Sequence, residues 1–433
     1  MDAHGGTGKT LDKIKMELLT FCNALGIKGA EFYALEGRFD SLAEDWDPEN
    51  LPFFMEESFF TELYPCLQCH FSLEELLLYV RQIRQIAGTH KEISLLGHLL
   101  CKSAFEEKRP LDLKFENDCV PFLGEQYSGM FSVLVSLGAY PYMVKAYAEL
   151  GVPEQYAKDA LAWIGGTMLA YGQAHQNLPG RPLQFAWIVR YITKTLFRIG
   201  RLEYLVHSAP EWMSCVYRND AGELKVLCRD QWTFRADKHR AGEGEEVVYT
   251  SFLEETEQTI TGIACDPYGI PDFEHPVTLD KSLWHSVLTP WDLCPSIHIP
   301  AGGRMPVEEV FDSMKKAVDF FQTYFKRRIP MICCCSWILN PAWETLLKNS
   351  NMARFRQECY ALPSPSWGPR AGMGFLFGRA DVPPEELPAV NSAQKALQEA
   401  SRKGLIGTGA IFVLPEDLEK LGNEYYRRKY ACK

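Results

Sequence analysis

Hydrophobic spacing changes once along this chain, close to Gly200, and that change limits the fold to a helical unit followed by a unit built on a sheet. Before it, apolar residues recur three and four positions apart, the period of a helix with one buried face. That spacing predicts helices at 11–25 (ending at Gly26), 73–87, 91–104, 129–150 with a break near Pro141, 154–170 and 183–197. After it, "GRLEYLVHSA", "GELKVLCRD", "QWTFRA", "EEVVYTSF" and "TITGIACDPYGIPD" read as strands. A strand ending at Ser296 to Ile299, a helix from Val307 to Phe325 and a buried strand in "PMICCCSWIL" come next. A short helix at 341–347, a strand at 372–377, a helix at 384–400, a strand at 405–413 and a helix from 415 complete the pass. Strands come first as a meander and then alternate with helices, so the sheet is expected to be mixed and the class α/β of the α+β kind. Gly180 and Pro182 mark the link, dividing the chain into a helical domain at 1–180 and a sheet domain at 181–433.

A chain of 433 residues is too long for one ordinary core, in keeping with two domains. The formal charge is -11 with no long basic run, which argues against nucleic acid or an anionic membrane surface as a partner. The most apolar stretch, Met130 to Val144, is interrupted by Gly138 and Pro141 and is too short to span a bilayer. The first residues show no basic patch followed by an apolar run, so no export signal is expected. Fourteen cysteines follow no regular framework and read as reduced thiols in a cytoplasmic protein.

Two motifs imitate well-known sites. Cys66, Cys69 and His70 have the spacing of covalent haem attachment, but that chemistry belongs to exported proteins. Ser72 with Glu75 forms a capping box instead, placing His70 just before a helix, so neither haem nor metal is expected. "GGTGKT", Gly5 to Thr10, ends like a phosphate-binding loop, yet no strand precedes it to feed one.

Chemistry is better placed in "SIHIPAGGRMPVEEVF". A strand ends, Pro300 stops its ladder, Gly302 and Gly303 free the backbone, and a helix opens near Val307. Amides of such a turn, a helix N-terminus and the Arg304 charge suit a phosphate or pyrophosphate; the same turn also serves as a plain strand–helix connection. His298 alternates away from Ile297 and Ile299 and faces either a cleft or a core. Glu203 shares a strand face with His207, and Tyr204 points the other way, so a carboxylate and an imidazole lie on one side either as a proton relay or as a solvated edge. Ser336, Trp337 and Asn340 close the "CCCSWILN" strand where sheets of this kind open a crevice, with Asn340 also able to cap the following helix. The three adjacent cysteines alternate faces and are read as structural thiols. Neither a G-x-S-x-G elbow nor an H-E-x-x-H motif occurs.

"IGRLEYLVH", "GIACDPYGIPD", "SIHIPAGG" and "SWILNPAW" followed by "NSNMARF" together resemble bacterial acyltransferase-domain proteins, in which a helical N-acyltransferase domain precedes a domain like that of the GNAT superfamily. The resemblance implies an acyl group moving from coenzyme A to an amine. It also implies two strands that splay around pantetheine and a pyrophosphate resting on amides that open a helix. Carried onto this chain, it gives Ile299, Ala301, Gly302, Gly303, Arg304, Ser336, Trp337 and Asn340 as residues toward acyl-CoA. Glu203 and His298 become candidates for proton transfer, and Tyr204 for returning a proton to the thiolate. Here the glycines precede Arg304, whereas the superfamily loop places an Arg or Gln before spaced glycines. The alternative is a protein of the same fold that binds acyl-CoA without catalysis.

Overall fold

The computed structural model describes residues 16–431 apart from 209, 290, 302, 303, 365–367 and 369. Two compact units emerge: one takes the residues up to Ala146 together with 161–193, the other 147–160 together with those from Lys194 on.

The first unit is helical. Helices α1 (Glu57–Leu67), α2 (Leu73–Thr89), α3 (Lys91–Cys101), α4 (Gly124–Leu137) and α5 (Ala162–Ala174) form most of it. Ser72 and Glu75 make the expected capping box at the start of α2, which accounts for the sequence around His70. Among the described residues, no group of three His, Cys, Asp or Glu side chains could hold a metal ion, and no helix is long and apolar enough to cross a membrane. Helix α4 is buried at every position from Ser128 to Leu137, so it is the axis of this core. Its serines are satisfied internally: Ser136 Oγ donates to Ser132 O (2.6 Å) and Ser132 Oγ to Pro182 O (2.9 Å).

The second unit is built on a six-stranded sheet of β1 (Leu196–Ile199), β2 (Leu202–Leu205), β3 (Ser296–His298), β4 (Ile332–Ser336), β5 (Tyr360–Leu362) and β6 (Gly409–Val413), in the order β1-β2-β3-β4-β6-β5. Only the β3–β4 pair is parallel, which makes the sheet mixed. The connection between those two strands is helix α6 (Val307–Phe320). Its buried Val307, Val310, Met314 and Ala317 recur at helical spacing and cover one sheet face. Residues between β2 and β3 form smaller antiparallel sheets, one with four strands, one with three and one with two. At the far edge, Glu344 anchors the C-terminal helix Tyr425–Tyr430 by accepting from Arg427 (2.8 and 2.6 Å), and it also pairs with Arg356.

Three sequence expectations are corrected. The helix expected at 183–197 covers only Ala186–Ile192, and 196–199 is strand β1, because the β1–β2 hairpin turns on Gly200 (φ 62°) and claims those residues for the ladder. The strand expected at 372–377 is a short helix, Met373–Phe377, bracketed by left-handed Gly372 and Gly378 (φ 86° and 73°). Its apolar run is therefore not a buried strand, and Phe375 is exposed. The single helix expected at 154–170 is two, Glu154–Ala160 and Ala162–Ala174.

Candidate active site

The β1–β2–β3 register builds the polar centre. Arg198 lies opposite Glu203, and Glu203 lies opposite His298, so the three share one face of the sheet. Glu203 is fully buried, and its Oε1 is 3.5 Å from the Arg198 guanidinium. A carboxylate at this depth requires a positive neighbour, and Arg198 supplies it.

Tyr204 follows the alternation to the opposite face. It is fully buried beneath α6, its hydroxyl 3.0 Å from Ser313 Oγ, and burial pushes its phenol well above the usual range. Ser313 is a small polar residue in the apolar face of α6, and it holds the hairpin: its hydroxyl donates to Ile199 O and accepts from Leu202 N (3.3 Å). Tyr204 and Ser313 therefore fix β1 and β2 under the helix, while Glu203 and His298 share the other side.

Next to His298 the ladder parts. Strands β3 and β4 share one registered pair, Ser296 opposite Cys333, and Cys333 N donates to Pro295 O (3.1 Å). Beyond it no backbone pairing joins them among the described residues; the one bridge is the Cys334 thiol, 3.3 Å from Ile297 O. Parallel neighbours that separate in this way leave main-chain groups available to an extended ligand between them.

The loop from β3 to α6 carries Ile299, Ala301 and an exposed Arg304; Gly302 and Gly303 lie outside the described residues. Helix α6 has no side-chain N-cap, so its first amides are not taken by one. Arg201, which sequence reasoning missed, grips this loop. Its Nε donates to Arg304 O (3.0 Å) and its terminal nitrogens to Pro300 O (3.3 Å). Burial, and then the Arg198 charge, hold its pKa below the ordinary value. Arg354 also stands beside the opening turn of α6, where it pairs with Glu308 at 3.4 Å, and Glu309 follows in the same turn. An anionic, extended co-substrate would meet Arg201 and Arg304 at the loop and main-chain groups of the separated strands, with Glu308 and Glu309 in the first turn of α6 as the opposing charges.

The end of β4 is more committed than the sequence implied. Ser336 Oγ accepts from Ile338 N (3.3 Å). The Trp337 ring packs against Phe375 and Gly372. Asn340 Nδ2 donates to Leu405 O (2.8 Å), and its Oδ1 accepts from Ala342 N (3.0 Å), so it braces the turn while also lining a cavity. Cys333 and Cys334 are buried, and burial raises both thiols well above their usual range, which suits the structural reading.

This sheet, with its parallel β3–α6–β4 connection and adjoining antiparallel strands, defines a class. Residues 196–409 match the family model of the GNAT-like C-terminal domain, and the chain carries that domain behind a helical N-terminal region. Solved structures share the arrangement over nearly the whole chain. An acyltransferase in complex with decanoyl-CoA and teicoplanin is 16% identical, with a TM-score of 0.57 over 92% of this chain and 99% of that one. A mutant acyltransferase bound to octanoyl-CoA gives the same values, and an acyltransferase with decanoyl-CoA alone gives a TM-score of 0.56 at 16% identity over the same shares of both chains. At this identity the likeness is one of fold. No curated protein matches the chain by sequence.

Proposed function

We propose that the protein transfers an acyl group from acyl-CoA to an amine by direct attack. The observation that carries this reading is the register placing Glu203 opposite His298 on the strand that parts from β4. Pantetheine would extend between β3 and β4, with its phosphates toward the loop held by Arg201. Arg304 and the residues of that loop, Ile299 and Ala301 with Gly302 and Gly303, would supply charge and backbone amides. The similar solved acyltransferases hold decanoyl-CoA and octanoyl-CoA, which supports a thioester of this class as donor.

As the neutral amine attacks, His298 takes a proton from its nitrogen, and buried Glu203, backed by Arg198, steadies the imidazolium that forms. The amine nitrogen bonds to the thioester carbon, and backbone amides beside the parted strands stabilise the oxyanion. The carbon–sulfur bond then breaks, the thiolate leaves with the electron pair, and the proton held by His298 neutralises it. Tyr204, on the far face and bonded to Ser313, serves packing in this scheme. Thiol release from acetyl-, octanoyl- and decanoyl-CoA with a panel of primary amines tests the proposal. Amine-dependent release with an amide product supports it. Saturable acyl-CoA binding with no release for any amine would favour the non-catalytic alternative.

A further inference from the structure

The face that carries His298 continues past the parted strands into a second polar group. Because Ser296 faces Cys333 in a parallel pair, His298 and Cys335 each lie two residues further on and point to the same side. Cys335 opposite Ala410, and Ala410 opposite Leu362, extend that side to the edge strands, and two residues beyond those partners stand Thr408 and Ser364. The Cys335 thiol is 3.7 Å from Ser364 Oγ, which is 2.7 Å from Thr408 Oγ1. The loop after Phe234 contributes Arg235, Asp237, His239 and Arg240, enclosing a cavity of about 250 Å³ with Ser364 and Thr408. A second cavity of about 280 Å³ shares His239, Pro341, Ser364 and Thr408 with it.

The two arginines of this loop differ. Arg235 is committed to Asp237 (2.7 Å) and Glu245 (2.9 Å). Among the described residues no carboxylate pairs with Arg240, and its buried Nε has no acceptor. The Trp232 ring, 4.1 Å from its Cζ, fixes the guanidinium plane. A half-buried guanidinium held flat by a ring and lacking a counter-ion is arranged to receive a planar anion in two parallel hydrogen bonds.

We propose that this cavity is the acceptor pocket and that Arg240 receives a carboxylate there, so that the acceptor is a small amine of the amino-acid type. The inference rests on the transferase reading above. It places the carboxylate at Arg240, beyond Cys335 as seen from His298, and turns the amine toward the parted strands.

The test compares glycine, L-alanine, L-leucine and L-phenylalanine with their own amides as acceptors for the full chain. The acids should exceed the amides by about 10- to 100-fold in kcat/KM, the worth of a hydrogen-bonded charge. Arg240→Gln should bring the acids down to the level of the amides. Equal use of acids and amides by the native chain, or a preference that survives in R240Q, overturns the pocket while leaving the transferase standing. If no amine releases thiol, the transferase reading fails, and calorimetry with N-acetylglycine and its amide then judges the pocket alone. Binding of the acid, lost in R240Q, supports it; no binding, or equal binding of acid and amide, overturns it.

Discussion

His298 lies directly across the β2–β3 ladder from Glu203, and both side chains stand on the face where β3 leaves β4. If they form the proton relay, His298→Ala and Glu203→Gln should each lower kcat by about 10²- to 10⁴-fold. Binding of acyl-CoA, read by calorimetry, should stay within about threefold of native. Loss of binding in proportion to loss of rate would mean that both residues only shape the cleft.

Arg201 bonds to two carbonyls of the loop that follows β3, so its removal should act on donor binding. Arg201→Ala is expected to raise the KM for acyl-CoA about tenfold, at a cost near one or two charge-assisted hydrogen bonds, with kcat little changed. Arg201→Lys should rescue it only in part, since one ammonium does not span both acceptors. A KM unchanged in both variants would detach Arg201 from the donor.

Much of this was legible beforehand, and the omissions have physical causes. The strand–turn–helix around 296–307 could be read because Pro300, the glycines and the change of period all punctuate the same few residues. Glu203 and His298 were each visible as polar positions in apolar strands. That they oppose one another depends on a register between strands more than ninety positions apart, which local pattern does not encode. Arg201 was hidden because a charged residue in a hairpin turn resembles ordinary solvated surface. Arg240 was hidden the same way, inside a charged loop whose other arginine is fully paired. The 372–377 stretch misled because two left-handed glycines, rather than its apolar residues, decide its conformation.

Cys335 lies against Ser364, which lines the proposed acceptor pocket, and its thiol offers a pH readout. Burial, opposed by hydrogen bonds from Ser364 and Thr408, pushes its pKa up to about 11 from the ordinary 9.0. Only the thiolate alkylates, so the rate at Cys335 should be slow near pH 8 and rise about tenfold per pH unit until about pH 11. Site-resolved mass spectrometry after iodoacetamide pulses reads this directly. A rate that levels off near pH 9 would show that the thiol is open to solvent.

In the helical unit, Arg181 is buried, and among the described residues no carboxylate pairs with it. It donates to Ser136 Oγ (2.5 Å) and Gln184 O (2.6 Å) between the rings of Trp163 and Phe185, and burial pushes its pKa down to about 9. A buried charge compensated only by neutral groups contributes little net stability, whereas its volume contributes much. Urea unfolding should therefore place Arg181→Met within about 1 kcal/mol of native, and Arg181→Ala about 3 kcal/mol below it. Equal losses in both would show that the charge itself holds the fold.

A crystal structure of the full chain with a non-hydrolysable acyl-CoA analogue locates the donor directly. The expected density runs between residues 296–299 and 333–336, with the phosphates at the 300–306 loop and the acyl carbonyl within one water of His298. Strands β3 and β4 closed into a continuous ladder, with the analogue bound elsewhere, would contradict it.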